Sequence, residues 1–130
     1  IALTEANITF DNIDYLNAHA TSTSVGDLAE SKAISKLIKG SESPYIGATK
    51  SMTGHLMGAA GALEGAICAL ATKHNIIPPN KNLENTDRNI CPKLKFTSNK
   101  ALHTEIKYAL SNSFGFGGHN SCVIFKKYNP

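Results

Sequence analysis

The stretch from Gly47 to Gly65, GATKSMTGHLMGAAGALEG, constrains this chain more than any other. From Leu56 to Ala71 the only charged residue is Glu64, and Gly58, Gly61 and Gly65 interrupt the apolar run. Read as a helix from about His55 to His74, each glycine costs about 1 kcal/mol relative to alanine. Such a helix draws its stability from close packing against other backbone, apolar on every side. An ionised Glu64 in that setting is costly unless it is paired or holds a cation. Lys50 and a bound metal ion are the two partners the sequence offers. His55 falls at the predicted helix start, where the positive end of the dipole disfavours imidazolium. A neutral ring there can donate one hydrogen bond and polarise a carbonyl oxygen. A histidine at a helix start is nevertheless more often structural.

The rest of the chain alternates strand and helix patterns. Ile1–Asn7 reads as the last turns of a helix whose beginning lies before the chain, which predicts a fragment or processed piece. Ile13–Ala20 reads as a short buried strand. Gly26–Gly40 reads as a helix with Ala29, Ala33, Ile34, Leu37 and Ile38 on one face and Gly40 as its stop. Pro44–Thr49 is a strand leading into a loop at Lys50. Asn75 and the Pro78-Pro79 pair end the long helix. Pro78–Pro92 is a surface excursion within one domain. Lys93–Ser98 forms a short strand, and Ile106–Phe114 and Asn120–Tyr128 are strands joined through GFGGH. The sum is an α/β layered fold.

Composition closes off other classes. A formal charge of +3 with scattered lysines does not mark a nucleic-acid partner. The three cysteines, Cys68, Cys91 and Cys122, form no CxxC pair, so neither a zinc site nor a disulfide framework is expected. The longest apolar stretch falls short of the ~20 residues of a membrane span.

Two further motifs carry polar chemistry. In NAHATSTS, His19 ends a strand and is followed by Thr21, Ser22 and Thr23, at the strand end where α/β folds place ligands. In SNSFGFGGHNS, Gly115, Gly117 and Gly118 free the backbone to approach a ligand, and Phe114 and Phe116 can pack over a pocket. The pattern lacks both GxGxxG before a helix and the GK[ST] lysine, which excludes nucleotide binding of those kinds.

NAHATSTSVGD, TKSMTGHLMGAAGALEG and SNSFGFGGHNS resemble, in order and spacing, the three C-terminal motifs of the β-ketoacyl-[acyl carrier protein] synthases. The resemblance covers essentially the whole chain and is to the elongating bacterial and plastid enzymes, with His119 leaning toward the plastid type. It implies a thiolase-like layered fold, αβαβα in the full enzyme, of which residues 1–130 would be the C-terminal half with a mixed β-sheet. It implies decarboxylative condensation of malonyl-acyl carrier protein with an enzyme-bound acyl thioester in fatty-acid elongation. By residue it implies His19 and His55 as the histidines that promote decarboxylation and stabilise the enolate oxygen. Lys50 would support them electrostatically, and Phe116 would gate the site and lend its N–H to an oxyanion hole. Thr21 and Thr23 would bind the phosphopantetheine arm, with Phe114 on the substrate side. Asn17, Glu64, Ser111 and Asn112 match positions around a structural Na+ or K+, and no other cofactor is implied. The implied partners are acyl carrier protein, the N-terminal half of the same enzyme and a second copy in a homodimer, in a plastid or the cytoplasm. No nucleic acid or membrane span is implied.

The chain departs from the family pattern twice. Ala20 stands where the family usually has glycine after the first histidine. The nucleophilic cysteine belongs to the N-terminal half, and none of the three cysteines here stands in its motif. The isolated chain is therefore predicted to be inactive. A non-catalytic partner subunit of the chain-length-factor kind is the alternative reading, and the intact set of His19, Lys50 and His55 argues against it. A thiolase would need a C-terminal cysteine that GFGGHNS does not offer.

Overall fold

The computed structural model describes residues 1–40 and 42–129. In chain order its elements are α1 (Ala2–Glu5), β1 (Tyr15–Asn17), α2 (Ser24–Ser35), β2 (Tyr45–Gly47), α3 (Lys50–Thr53) and α4 (Ala60–His74). They continue with β3 (Ile76–Ile77), β4 (Lys95–Phe96), β5 (Leu102–His103), β6 (Tyr108–Gly115) and β7 (His119–Lys126). The main sheet has five strands in the order β4-β2-β1-β6-β7. β1 lies parallel to β2 and β6, β2 parallel to β4, and β7 antiparallel to β6, so the sheet is mixed. A small antiparallel pair, β3 with β5, sits apart.

Side chains alternate across a strand, and here the alternation sorts two cores. Leu16 and Leu110 face one side, where they meet Phe10, Ile13, Ile34 and Ile46. Tyr15 and Ala109 face the other, with Cys68, Ala71, Ile77 and Ile106. The first core lies under α2 and the second under α4. This is the expected layered α/β arrangement, with the register Asn17 beside Ser111 at the sheet's centre.

α4 differs from its sequence reading in two ways. It begins at Ala60 and not at His55, because Gly54 (φ +71°) and Met57 (φ +51°) take left-handed backbone that an α-helix cannot contain. It also buries one stripe and not its whole circumference: Ala60, Glu64, Cys68 and Ala71 are inside, while Leu70 is exposed. This chain supplies only one sheet face for it to pack on. Two of its glycines explain how closely it does so. A Cβ at Gly61 would lie 3.2 Å from Ser113 Oγ, and one at Gly65 would lie 3.2 Å from Phe125 Cζ. The helix ends at Asn75 as the sequence predicts, in left-handed conformation.

α2 is shorter than its reading and buries different residues. Glu30, Ser31 and Ile34 are inside, whereas Ala29, Ala33 and Leu37 of the expected apolar face are exposed. The polar backbone at the end of β1 draws Glu30 inward, as described below. Among the described residues no helix is long and apolar enough to cross a membrane.

Candidate active site

Three segments converge beyond the carboxyl end of β1: the loop after it, the turn after α3, and the last residues of β6. His19 and His55 meet there edge to face, ring centroids 5.4 Å apart at 88°. Phe114 packs on the same His19 ring, centroids 5.3 Å apart. His55 reaches this point from the glycine-broken turn after the short helix α3, so no helix dipole acts on it in the way the sequence suggested.

The electrostatic constraint falls on His19 instead. Its pKa is lowered from the ordinary 6.5, first by burial, then by the Lys50 ammonium, partly opposed by Glu30, and further by His55. His19 is therefore a neutral imidazole at pH 7, and its Nδ1 is buried without a partner among the described residues. A neutral ring with an uncommitted nitrogen can donate to a developing oxyanion or accept a proton, and the second ring stands beside it to share the work.

Lys50 and Glu64 form a buried ion pair, Lys50 8% and Glu64 1% exposed. Glu64 thus has the lysine partner the sequence offered. Its second oxygen, Oε2, is buried with no partner among the described residues, and so are Ser111 Oγ and the Tyr15 hydroxyl. Burial raises the Tyr15 phenol well above its usual range, with Cys68 and Glu64 adding to the shift. The Cys68 thiol is pushed up to about 12 by burial and by Glu64, so it is a packed, inert thiol and no nucleophile.

The four suggested cation ligands divide. Glu64 Oε2 and Ser111 Oγ are orphaned oxygens on the α4 side of the sheet. The Asn17 amide instead donates to Thr49 Oγ1 (3.0 Å), and the Asn112 amide donates to Glu30 Oε1 (3.2 Å). Asn17 Oδ1 also accepts from Thr49 N (3.3 Å), so the Asn17 amide is committed to Thr49, while the Asn112 amide reaches Glu30 on α2. A hard monovalent ion wants oxygens, and the two orphans fit that chemistry.

Glu30 is the functional residue that sequence reading missed. Its Oε1 accepts from His19 N (3.0 Å) and from Asn112 Nδ2, and its Oε2 accepts from Ala20 N (2.9 Å). One carboxylate thus fixes the histidine backbone and ties it to β6. The only sequence signal was its place one helical turn before Ile34. Ala20, held by this bond, sits at φ +28°, a conformation that favours glycine. We expect Ala20→Gly to stabilise the protein by about 1 kcal/mol, read as a higher denaturation midpoint at unchanged slope. An unchanged or lower midpoint would show that the loop carries no strain.

The remaining predicted residues separate. Thr21 lines a polar cleft of ≈ 530 Å3 together with Lys50, Ser51, His55 and Lys81. Thr23 does not reach it; its hydroxyl caps α2 by accepting from Gly26 N (3.2 Å). A second, largely apolar cleft of ≈ 570 Å3 lies between α4 and strands β6 and β7, with His19, His55 and Phe114 at one end. His55 is the one residue that lines both. Phe116 lies in the turn between β6 and β7, 92% exposed, and lines neither cleft.

A sequence profile described as the C-terminal domain of beta-ketoacyl synthase matches residues 1–84. The chain is 46% identical over 127 residues to 3-oxoacyl-[acyl-carrier-protein] synthase II, chloroplastic, of Arabidopsis thaliana, covering 98% of this chain and 23% of that protein. It is 41% identical over 128 residues to 3-oxoacyl-[acyl-carrier-protein] synthase 2 of Vibrio harveyi, covering 97% and 30%. Among solved structures it superposes on a beta-ketoacyl synthase from Burkholderia phymatum with a TM-score of 0.90 at 38% identity, over 98% of this chain and 31% of that one. A type II polyketide ketosynthase in complex with its acyl-carrier protein gives 0.89 at 31% identity, over 98% and 31%. The chain therefore spans between about a quarter and a third of the length of these relatives. The mixed sheet between helices is thus a thiolase-like layer of the ketosynthase kind, and the chain belongs to the β-ketoacyl synthase family, whose C-terminal domain it carries.

Proposed function

We propose that this chain is the decarboxylation half of an elongating β-ketoacyl-acyl carrier protein synthase, an acyltransferase of fatty-acid synthesis. The observation that carries the reading is the His19–His55 pair, one ring held neutral beside a buried Lys50–Glu64 ion pair. Relatives named 3-oxoacyl-[acyl-carrier-protein] synthase support it. In this reading a malonyl thioester enters through the polar cleft and places its thioester carbonyl at the two imidazoles. Loss of CO2 leaves an enolate oxygen, which the two imidazoles stabilise by donating hydrogen bonds. The resulting carbanion attacks an acyl thioester carried on a cysteine outside this chain. Phe116 and Phe114 would close over that acyl group, and the open face of α4 would pack against the remainder of the enzyme.

The test is condensation by the complete synthase that carries this segment, assayed with malonyl- and acyl-acyl carrier protein. β-Ketoacyl product is the expected result, and its absence from a folded, acylated enzyme would reject the reading. The carrier-protein partner draws support from the ketosynthase relative solved with its acyl-carrier protein. A homodimer and a plastid location belong to the same proposal, the latter supported by the chloroplastic relative. Sedimentation as a monomer, or fractionation with the cytosol, would remove them separately.

A monovalent cation between Glu64 Oε2 and Ser111 Oγ is part of the proposal, supported by those two orphaned oxygens. K+ or Na+ would lock α4 to β6, with no part in the chemical step. A site filled at ten times its dissociation constant adds about 1.4 kcal/mol of stability. We expect a higher melting temperature in KCl or NaCl than in choline chloride at equal ionic strength, with the difference lost in Ser111→Ala. Equal melting temperatures in all three salts would remove the ion.

A further inference from the structure

The polar cleft has a feature that neither the histidines nor the threonines account for. Lys81 stands on its wall, and its ammonium has no hydrogen-bond or ion-pair partner among the described residues. Its backbone, by contrast, is pinned with unusual completeness for a surface turn. Asn80 N donates to Ser98 O (2.8 Å), Lys81 N to Ser51 Oγ (2.9 Å), and Asn82 N to Asn99 Oδ1 (2.7 Å). Asn99 Nδ2 closes the clamp on Leu83 O (3.1 Å). Asn82 accepts left-handed backbone (φ +66°) to complete the turn.

The clamp has a direction. Ser51 belongs to α3, the same short helix that presents Lys50, so the turn bearing Lys81 is fastened to the element beside the histidines. A cationic side chain on a fixed backbone, at a cleft whose other charges are Asp27 and the already paired Lys50, is arranged to receive an anion. Asp27 Oδ1 is buried without a partner among the described residues, and a carboxylate there would keep an anion away from its own side of the cleft. The favourable position for negative charge is therefore the Lys81 side.

We propose that Lys81 is an anchor for the phosphodiester of the phosphopantetheine arm, holding it at the cleft while the thioester end reaches His55. This rests on the synthase reading given above and names one residue through which that site recognises its carrier-borne substrate. The contact is an ion pair with charge-assisted hydrogen bonds from the ammonium to phosphate oxygens; no covalent bond changes. It predicts discrimination between a thioester on a phosphorylated arm and the same thioester on a short neutral one.

Two measurements on the complete synthase test it. In the first, Lys81→Gln is expected to raise KM for malonyl-acyl carrier protein about five- to tenfold. KM for malonyl-N-acetylcysteamine, which carries no phosphate, stays within twofold, and Lys81→Arg restores the carrier-protein value. Equal changes with both substrates, or no change with either, overturn the proposal. In the second, calorimetry compares 4′-phosphopantetheine with pantetheine and needs no catalysis. The parent should prefer the phosphorylated ligand, with the preference weakening as salt rises and vanishing in Lys81→Gln. Equal binding of the two ligands by the parent, or a preference that survives the substitution, overturns the proposal. An enzyme that fails to condense but keeps this preference would reject the synthase reading and leave Lys81 as a phosphate anchor.

Discussion

Glu64→Ala is expected to destabilise the protein by about 3–5 kcal/mol, because it strands the Lys50 ammonium inside without its partner. That loss would lower the melting temperature by about 10 °C or more in a domain of this size. Removing both charges together tests whether the pair or its imbalance is responsible. Glu64→Leu combined with Lys50→Met replaces the ion pair by apolar volume, and buried pairs replaced in this way are often neutral in stability. The double variant should therefore recover most of what Glu64→Ala loses, a strongly non-additive result by denaturant titration. A Glu64→Ala protein within 1 kcal/mol of the parent would mean that water or an ion reaches the lysine.

His19→Ala and His55→Ala are each expected to slow malonyl decarboxylation by the complete synthase by about 10²–10⁴-fold. Acylation of the nucleophilic cysteine should change far less, because in the proposed scheme neither ring takes part in it. Release of labelled CO2 and single-turnover acylation read the two steps separately. Equal losses in both steps would mean that the substitutions disturb the whole site. The pH profile adds a signature specific to His19. Its folded pKa lies below 6.5, so the neutral form persists to more acid pH than an ordinary histidine allows. Decarboxylation should hold constant through neutrality and fall only below pH 6.5. Stability has the same sign. The unfolded chain binds the proton first, so the His19 contribution is lost as pH falls below 6.5 and is fully present above it. An acid limb centred above 6.5 would contradict the neutral-ring assignment.

Much of this site was legible in the sequence, for identifiable reasons. Periodicity and punctuation located β1, α4 and the β6–β7 pair, because each is an apolar run bounded by a turn or stop signal, such as GFGGH between the strands or Asn75 after the helix. Glu64 was legible because an ionised group in an apolar run demands a partner. Spacing could not show that His55 precedes the helix by several residues. Gly54 and Met57 break the chain through positive φ, and methionine gives no warning of that. Glu30 was hidden for a different reason. A helix is read by its apolar face, yet α2 turns a carboxylate inward to meet two backbone N–H groups that no side-chain pattern records. The same blindness hid that the Thr23 hydroxyl caps the helix by accepting from Gly26 N.

The Glu30 carboxylate also acts as a ruler. Its two oxygens span from the His19–Ala20 backbone to the amide of Asn112, two residues before Phe114 on the same strand. Aspartate at position 30 is one methylene too short to hold all three contacts from the same helix. A change at position 30 is therefore felt at Asn112 and at the histidine loop together. Anyone transplanting the histidine pair into another scaffold inherits the same requirement, and would have to carry over Glu30 with its helix and Asn112 with its strand.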